Sequence, residues 1–389
     1  MRDHIQSLTP LRGYAALFVV IHHFITLRFP DLNNLISTHT SLVDNAYLMV
    51  DLFFILSGFV LAHVYTEHFS STVNRPSYGK FMFSRFARIY PLHLFILFGF
   101  IGLELLHTLS WLSKHGGASL LDAIGTTGAP FSGSRSLESL AANLFLVQSW
   151  TLDPRFTSWN HPSWSLSSEW FAYLLVPFLL IIVAKLLHFT NRSKTFYPTV
   201  IAAITLPLAV LFGISISTQW GLDVAGLHGL IRCVMEAWLG MIAYQVYRHG
   251  HLKKLWRQSA LMLFFLLWIV AVMWTDANDT LAIPGFFGLI LCASYNSGLM
   301  ARFLNTKINI FLGNISYSIY MTHIFVMQLI VMLWPKIIGG KFGDGLNTAQ
   351  SLGLLSMTLI AVVLTSILTY KFVELPAKNW LKKQYQKRY

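Results

Sequence analysis

Charge is what this chain has least of. Only 11% of its 389 residues are Asp, Glu, Lys or Arg, against about a quarter in a soluble globular domain. That shortage, with 55% hydrophobic residues and a mean hydropathy of +0.57, excludes a soluble enzyme and points to an integral membrane protein. Cysteine is nearly absent too. Cys233 and Cys292 both lie in apolar stretches, so no disulfide framework is expected. The phosphate-binding G-x-x-x-x-G-K-[ST] loop and the G-x-S-x-G nucleophile elbow are missing. No set of His, Cys, Asp and Glu has convincing metal-ligand spacing. No internal repeat argues for an inverted-repeat transporter. The first apolar segment carries an arginine and two histidines and lacks a small-residue cleavage site, so it is expected to stay as a helix.

Acidic residues are scarcer than basic ones, 16 against 28, for a net charge of +12. Such a balance can mark a nucleic-acid binder, but these cations sit in short connections between apolar spans. Spans of about 20 apolar residues are expected near 7–28, 46–66, 81–109, 165–187, 196–216, 225–247, 258–275, 280–298, 308–334 and 350–372. This is the pattern of an all-α integral membrane protein, a bundle of about ten transmembrane helices. With the N-terminus inside, the inner segments gather Arg2, Arg75, Lys80, Arg85, Arg88, Arg192, Lys194, Arg248, Lys253, Lys254, Arg257 and the C-terminal lysines. The outer segments hold Arg28, Lys114, Arg135, Arg155, Lys336 and Lys341. That bias places both termini in the cytoplasm and the chain in the plasma membrane as a multi-pass protein. Residues 1–376 read as one membrane domain and 377–389 as a short basic cytoplasmic tail. One outer connection, about 110–164, is long. It runs through Gly/Ser/Thr-rich Gly116–Ser136, a helix-like Leu137–Trp150 and TLDPRFTSWNHPSW, and is either a binding surface or a tolerated insertion.

The stretch Leu11–Phe24, LRGYAALFVVIHHF, organises the rest. On a helix, Arg12 and His23 project within roughly 20° of each other, about 16 Å apart along the axis, while His22 turns away by roughly 80°. Ionisable groups in an apolar span are costly and mark function, unless Arg12 snorkels to the interface and His23 is a satisfied interior histidine. Counting depth from the cytoplasmic side puts Arg12 about 7 Å in and His23 about 24 Å in. Asp51 and Glu169, near the outer starts of their spans, fall close to the level of His23. An acid beside that imidazole would orient it as a general base; the alternative is that both acids face water. Arg85 and Arg88, three apart on one helix face, suit phosphate, with Arg12 as a third cation, or are ordinary inward-facing charges. Ser316, Tyr320 and His323 form one polar stripe, lining a path or pinning a neighbouring helix. Arg232 and Glu236 read as an intramembrane ion pair.

These residues also fall in an ordered series of motifs. LRGYAALFVVIHHF is followed by MVDLFFILSGF (Met49–Phe59), RFARIYP (Arg85–Pro91), WSLSSEWFAYL (Trp164–Leu174), LGNISYSIYMTH (Leu312–His323) and FVELP (Phe372–Pro376). The chain thereby resembles the acyltransferase family 3 membrane proteins, the O-acetylase-type group that acylates surface polysaccharides. It departs at Met49, usually Gly, and at Trp170, often acidic. It is also too short for the C-terminal SGNH esterase-like domain of some members. The resemblance implies a membrane O-acyltransferase that moves an acyl group, usually acetyl, from cytoplasmic acyl-CoA to a hydroxyl, usually of a cell-surface or lipid-linked glycan. No permanently bound cofactor is expected, because acyl-CoA is a substrate. In that scheme His23 is the base, Asp51 or Glu169 orients it, and Arg12, Arg85 and Arg88 hold the CoA phosphates. Tyr320, His323 and Ser316 line the acceptor or thioester path. A transporter or acyl carrier is the rival reading, and a macrolide or lipid hydroxyl the rival acceptor.

Overall fold

The computed structural model describes residues 5–69, 72–115, 129–153, 159–188, 195–343 and 345–388. Part of the glycine-rich stretch and Arg2, Arg155, Arg192 and Lys194 lie outside the described residues. Among the described residues the secondary structure is helical, without strands. The principal helices are α1 (Thr9–Arg28), α2 (Met49–Tyr65), α3 (Arg75–Lys114), α4 (Ser163–His188), α5 (Phe196–Ser217) and α6 (Gly226–His249). They continue as α7 (Ser259–Trp274), α8 (Ala282–Tyr295), α9 (Lys307–Asn314), α10 (Ser316–Ile337), α11 (Thr348–Thr369) and α12 (Leu375–Arg388).

Among the described residues, seven helical stretches are long and apolar enough to cross a membrane, by length and composition. They correspond to α1 to α5, α10 and the continuous α11–α12 stretch. The other three expected spans appear as α6, which carries Arg232 and Glu236, and as α7 and α8, of 16 and 14 residues. Large apolar side chains such as Phe98, Leu109, Ile201, Leu206 and Leu364 face outward, as a hydrocarbon surrounding requires. One expectation changes: the span placed at 308–334 is interrupted at Ile315, giving α9 and α10. The basic tail is helical as far as residue 388: α12 follows a π-helical turn, Tyr370–Glu374, and packs along α3, with Phe83 and Tyr385 stacked 4.5 Å apart.

Local signals place the ends of these elements. The Asn74 side chain caps α3 by accepting from the Ser77 amide at 2.9 Å, with Pro76 in the first turn. Asn347 and Gln350 form a reciprocal capping box on α11. Two glycine contacts set the packing. A Cβ on Gly240 of α6 would run into the carbonyl of Ile55 on α2, and one on Gly58 would run into the carbonyl of Ala237. Helices α2 and α6 therefore touch backbone to backbone, the most extensive helix pairing in the molecule. Gly313 of α9 meets the Thr9 carbonyl in the same way and draws α9 against α1. The site lies where α1, α2, α3, α4 and α10 converge.

Candidate active site

A cavity of about 170 Å³ enters the bundle between α1, α2, α3, α4 and α10. Arg12, Arg85 and Arg88 line it, together with Ser57, Glu169, Tyr173, Ser316 and Tyr317. Phe53, Ser165 and Tyr320 line it as well. The structure thus brings the three predicted arginines together with Glu169, Ser316 and Tyr320. Their environments differ. The Arg85 guanidinium donates to the Tyr65 hydroxyl at 3.3 Å and lies over the Tyr65 and Tyr173 rings, at 5.5 and 6.0 Å. Arg12 faces the cavity within electrostatic reach of Glu169. Neither Arg12 nor Arg85 forms a salt bridge among the described residues. Arg88 is already neutralised. It pairs with Glu374, whose other oxygen accepts from Ser318 at 2.8 Å, and its guanidinium lies over Tyr317. Glu374 is the last residue of the π-helical turn and is buried there.

Tyr320 closes the inner wall. Its hydroxyl shares a hydrogen bond with Ser165 at 2.8 Å and donates to the Pro162 carbonyl at 3.1 Å, and its ring lies 5.7 Å from Phe53. One ring further on, centroid to centroid 6.0 Å, stands His323. His323 Nε2 is 3.1 Å from His23 Nδ1, and the two rings are 5.0 Å apart. His22 and His161 pack near His23 with centroids at 5.1 and 6.2 Å. His22 is held by the Val43 carbonyl at 2.8 Å. The Ser316 hydroxyl donates to the Gly313 carbonyl at 2.8 Å.

The expected partners of His23 are elsewhere. Among the described residues, no hydrogen bond joins His23 to Asp51 or Glu169. Asp51 is fully buried and takes two bonds from Arg232, at 2.8 Å from Nε and 2.5 Å from the terminal nitrogen. Glu236 approaches the same guanidinium at 3.4 Å, so the pair foreseen within α6 is a triad centred on Arg232. The physical reason is charge. A guanidinium sealed between α2 and α6 requires a carboxylate within contact, and the tight Gly58–Gly240 crossing carries Asp51 to it. Glu169 accepts from Ser57 at 2.6 Å and lines the arginine-lined cavity beside Tyr173. Glu104 belongs to neither site. It binds Arg135 at 2.8 Å and the Phe131 amide at 3.1 Å, tying the long connection to α3.

Two participants, His161 and Glu374, and one pairing, Arg232 with Asp51, were not singled out by sequence. His161 lies in the quoted TLDPRFTSWNHPSW stretch, two residues before α4. Asn160 donates to the Met321 carbonyl at 3.1 Å and so anchors that stretch beside His323. Glu374 lies within FVELP, but its contact with Arg88 spans 286 residues of sequence. Arg232 as the partner of Asp51 spans 181.

The bundle places an arginine-lined cavity and a buried imidazole pair close together among helices long and apolar enough to cross a membrane. Comparison with known proteins specifies the class. The acyltransferase domain of acyltransferase family 3 matches residues 5–370, and the chain belongs to that family. It is similar to Acyltransferase MdmB of Streptomyces mycarofaciens, 27% identical over 97% of this chain and 92% of that protein. It is also similar to the "Putative peptidoglycan O-acetyltransferase YrhL" of Bacillus subtilis (strain 168), 22% identical over 97% of this chain and 55% of that one. Protein 2 in picA locus of Rhizobium radiobacter is 41% identical over 23% of this chain and 40% of its own length. No solved structure matches the chain significantly. The protein is a membrane acyltransferase that transfers groups other than aminoacyl groups.

Proposed function

We propose that the protein is a ten-span plasma-membrane enzyme with both termini in the cytoplasm. It moves an acyl group, acetyl in the simplest case, from acyl-CoA to a hydroxyl of a cell-surface or lipid-linked glycan. The observation that carries this reading is an arginine-lined cavity with a buried histidine pair behind its inner wall. Arg12 and Arg85 line the cavity beside the N-terminal part of α3, Tyr320 closes the inner wall, and behind that wall His323 contacts His23 at 3.1 Å. The bias of Lys and Arg toward the α3 end supports a cytoplasmic mouth there. CoA phosphates would meet the two arginines that lack a carboxylate partner, and the pantetheine arm would carry the thioester toward Tyr320. Arg88, held by Glu374, shapes the mouth rather than binding phosphate directly.

The acceptor hydroxyl arrives at the opposite end, beside His161 and His23. His23 Nε2 takes the hydroxyl proton as the oxygen attacks the thioester carbonyl. The C–S bond breaks, and the leaving sulfur takes the proton back from His23 to depart as the CoA thiol. No acyl-enzyme is needed. The peptidoglycan acceptor in the name of the Bacillus relative supports a glycan. The near full-length likeness to MdmB, whose name states no acceptor, keeps a macrolide or lipid hydroxyl as the other outcome of the test.

The test uses inside-out vesicles from cells making the full chain, supplied with radiolabelled acetyl-CoA. Base-labile label is expected in the envelope glycan fraction, and His23→Ala is expected to lose it by about 10²- to 10⁴-fold. Label in the lipid fraction, or only after a macrolide is added, would change the acceptor. Transfer by His23→Ala at the parent rate would remove His23 as the base.

A further inference from the structure

The hydrogens on the two contacting imidazoles can be placed from their neighbours. His323 Nδ1 lies 2.8 Å from the Tyr320 carbonyl, which only accepts, so that nitrogen carries a hydrogen. In the neutral ring Nε2 is then a bare acceptor, and it faces His23 Nδ1 at 3.1 Å. His23 Nδ1 also lies 3.0 Å from the Val19 carbonyl. Two acceptors converge on this one nitrogen, so it must be the donor. The lone pair of His23 is thereby left on Nε2, the atom that faces neither contact. The opposite assignment would seat an imidazolium at His323, which is fully buried, with no carboxylate in contact among the described residues. It would also press the bare Nδ1 of His23 against the Val19 oxygen. Both are costly in an apolar interior.

The acids that sequence offered for this task are committed to other cations and hydroxyls, Asp51 to Arg232 and Glu169 to Ser57. The carbonyl that orients His323 is itself held in place. Tyr320 is anchored at its hydroxyl by Ser165 and by the Pro162 carbonyl, which pins this turn of α10.

We propose that His323 is a positioning residue for His23 and not part of the substrate path. It accepts the Nδ1–H of His23, selects the tautomer that presents Nε2 to the acceptor hydroxyl, and steadies the ring as it becomes cationic. The proposal rests on the reading of His23 as the base. Its energetic signature follows from timing. While His23 is neutral, the N–H···N bond joins two neutral rings. Once Nε2 has taken the hydroxyl proton, the same bond has a charged donor and is stronger. No bond is broken at His323, and its own protons stay where they are. An interaction that strengthens only on the way to the transition state acts on turnover, with little effect on donor affinity. A residue lining the thioester path would do the reverse.

Inside-out vesicles carrying the full chain, with radiolabelled acetyl-CoA, read both quantities as Vmax per amount of protein and KM for acetyl-CoA. His323→Phe and His323→Ala are expected to lower Vmax about 10- to 100-fold, the worth of one hydrogen bond to a charged group, with KM for acetyl-CoA unchanged. His323→Gln places an amide oxygen near the former Nε2 and is expected to recover most of the rate. Added imidazole is expected to restore His323→Ala, where it can occupy the vacated space, and not His323→Phe, where the ring fills it. Rescue of that kind requires a folded protein, so a folding defect cannot imitate it. An unchanged Vmax, a change confined to KM, or failure of both glutamine and imidazole would overturn the proposal. The underlying reading fails separately: a fully active His23→Ala removes the base, whereas an inactive His23→Ala beside a fully active His323→Phe removes only the positioning role.

Discussion

Asp51→Asn separates a structural acid from a catalytic one. Asp51 and Arg232 are both fully buried, and the carboxylate receives two bonds, at 2.8 and 2.5 Å. Removing one partner of a buried ion pair costs about 3–5 kcal/mol. Glu236 remains 3.4 Å from the same guanidinium, and Arg232 keeps its bond to the Leu222 carbonyl, so the lower end applies. About 3 kcal/mol is roughly a 150-fold fall in the ratio of folded to unfolded protein. Replacing the whole triad by apolar residues, Asp51→Leu with Arg232→Met and Glu236→Leu, leaves no orphaned charge. It should therefore recover much of the loss. Heat stability is read as the fraction of detergent-solubilised protein that stays monodisperse on size exclusion after stepwise warming. Acyl transfer is read on the same preparations. If Asp51 serves only to hold α2 against α6, the apolar triad is folded and active. If Asp51 orients His23, the triad variant is folded and inactive. An Asp51→Asn protein as heat-stable as its parent would refute the reasoning, because the pair would then carry no weight in the fold.

Further outcomes follow from the cavity and from the helix seam. Arg85→Ala should raise KM for acetyl-CoA about tenfold or more, the worth of a charge-assisted bond, and change Vmax less. Arg88→Ala should first lower heat stability, because it strips the cation from buried Glu374; initial rates against acetyl-CoA and the same warming assay distinguish the two. Gly240→Val should cost upwards of about 1–3 kcal/mol by overpacking, since its Cβ meets the Ile55 backbone. Gly102→Ala, with nothing within 4 Å of the added carbon, should be silent in the same yield and monodispersity measurement.

Much of the architecture is legible in composition and periodicity because membrane helices advertise themselves by length and apolarity. The ends of α1, α2, α4 and α5 fall within a few residues of where hydropathy puts them. The interruption at Ile315 is not legible, and neither is the close approach of nearby Gly313 to the Thr9 carbonyl, which lies about 300 residues away in sequence. The arginine-lined cavity is legible in part. The spacing of Arg85 and Arg88 shows that they share a face, but nothing local shows that Arg88 is neutralised by a glutamate 286 residues away. His161 carries a weak signal, a histidine placed just before the start of α4, which distinguishes it little from the other histidines.

The chain's residues alone establish how far along each helix a group lies. Rise and turn per residue are nearly constant, so His23, His323 and Asp51 could be assigned depth without coordinates, and His23 could be chosen over His22 because it shares the Arg12 side of its own helix. Direction around the helix axis is another matter. It acquires meaning only when a neighbouring helix is set against it, and that depends on backbone contacts such as those at Gly58, Gly240 and Gly313. Asp51 therefore shares the depth assigned to His23 yet faces Arg232. His323, read as a wall of the substrate path, is the residue that packing brings into contact with the base.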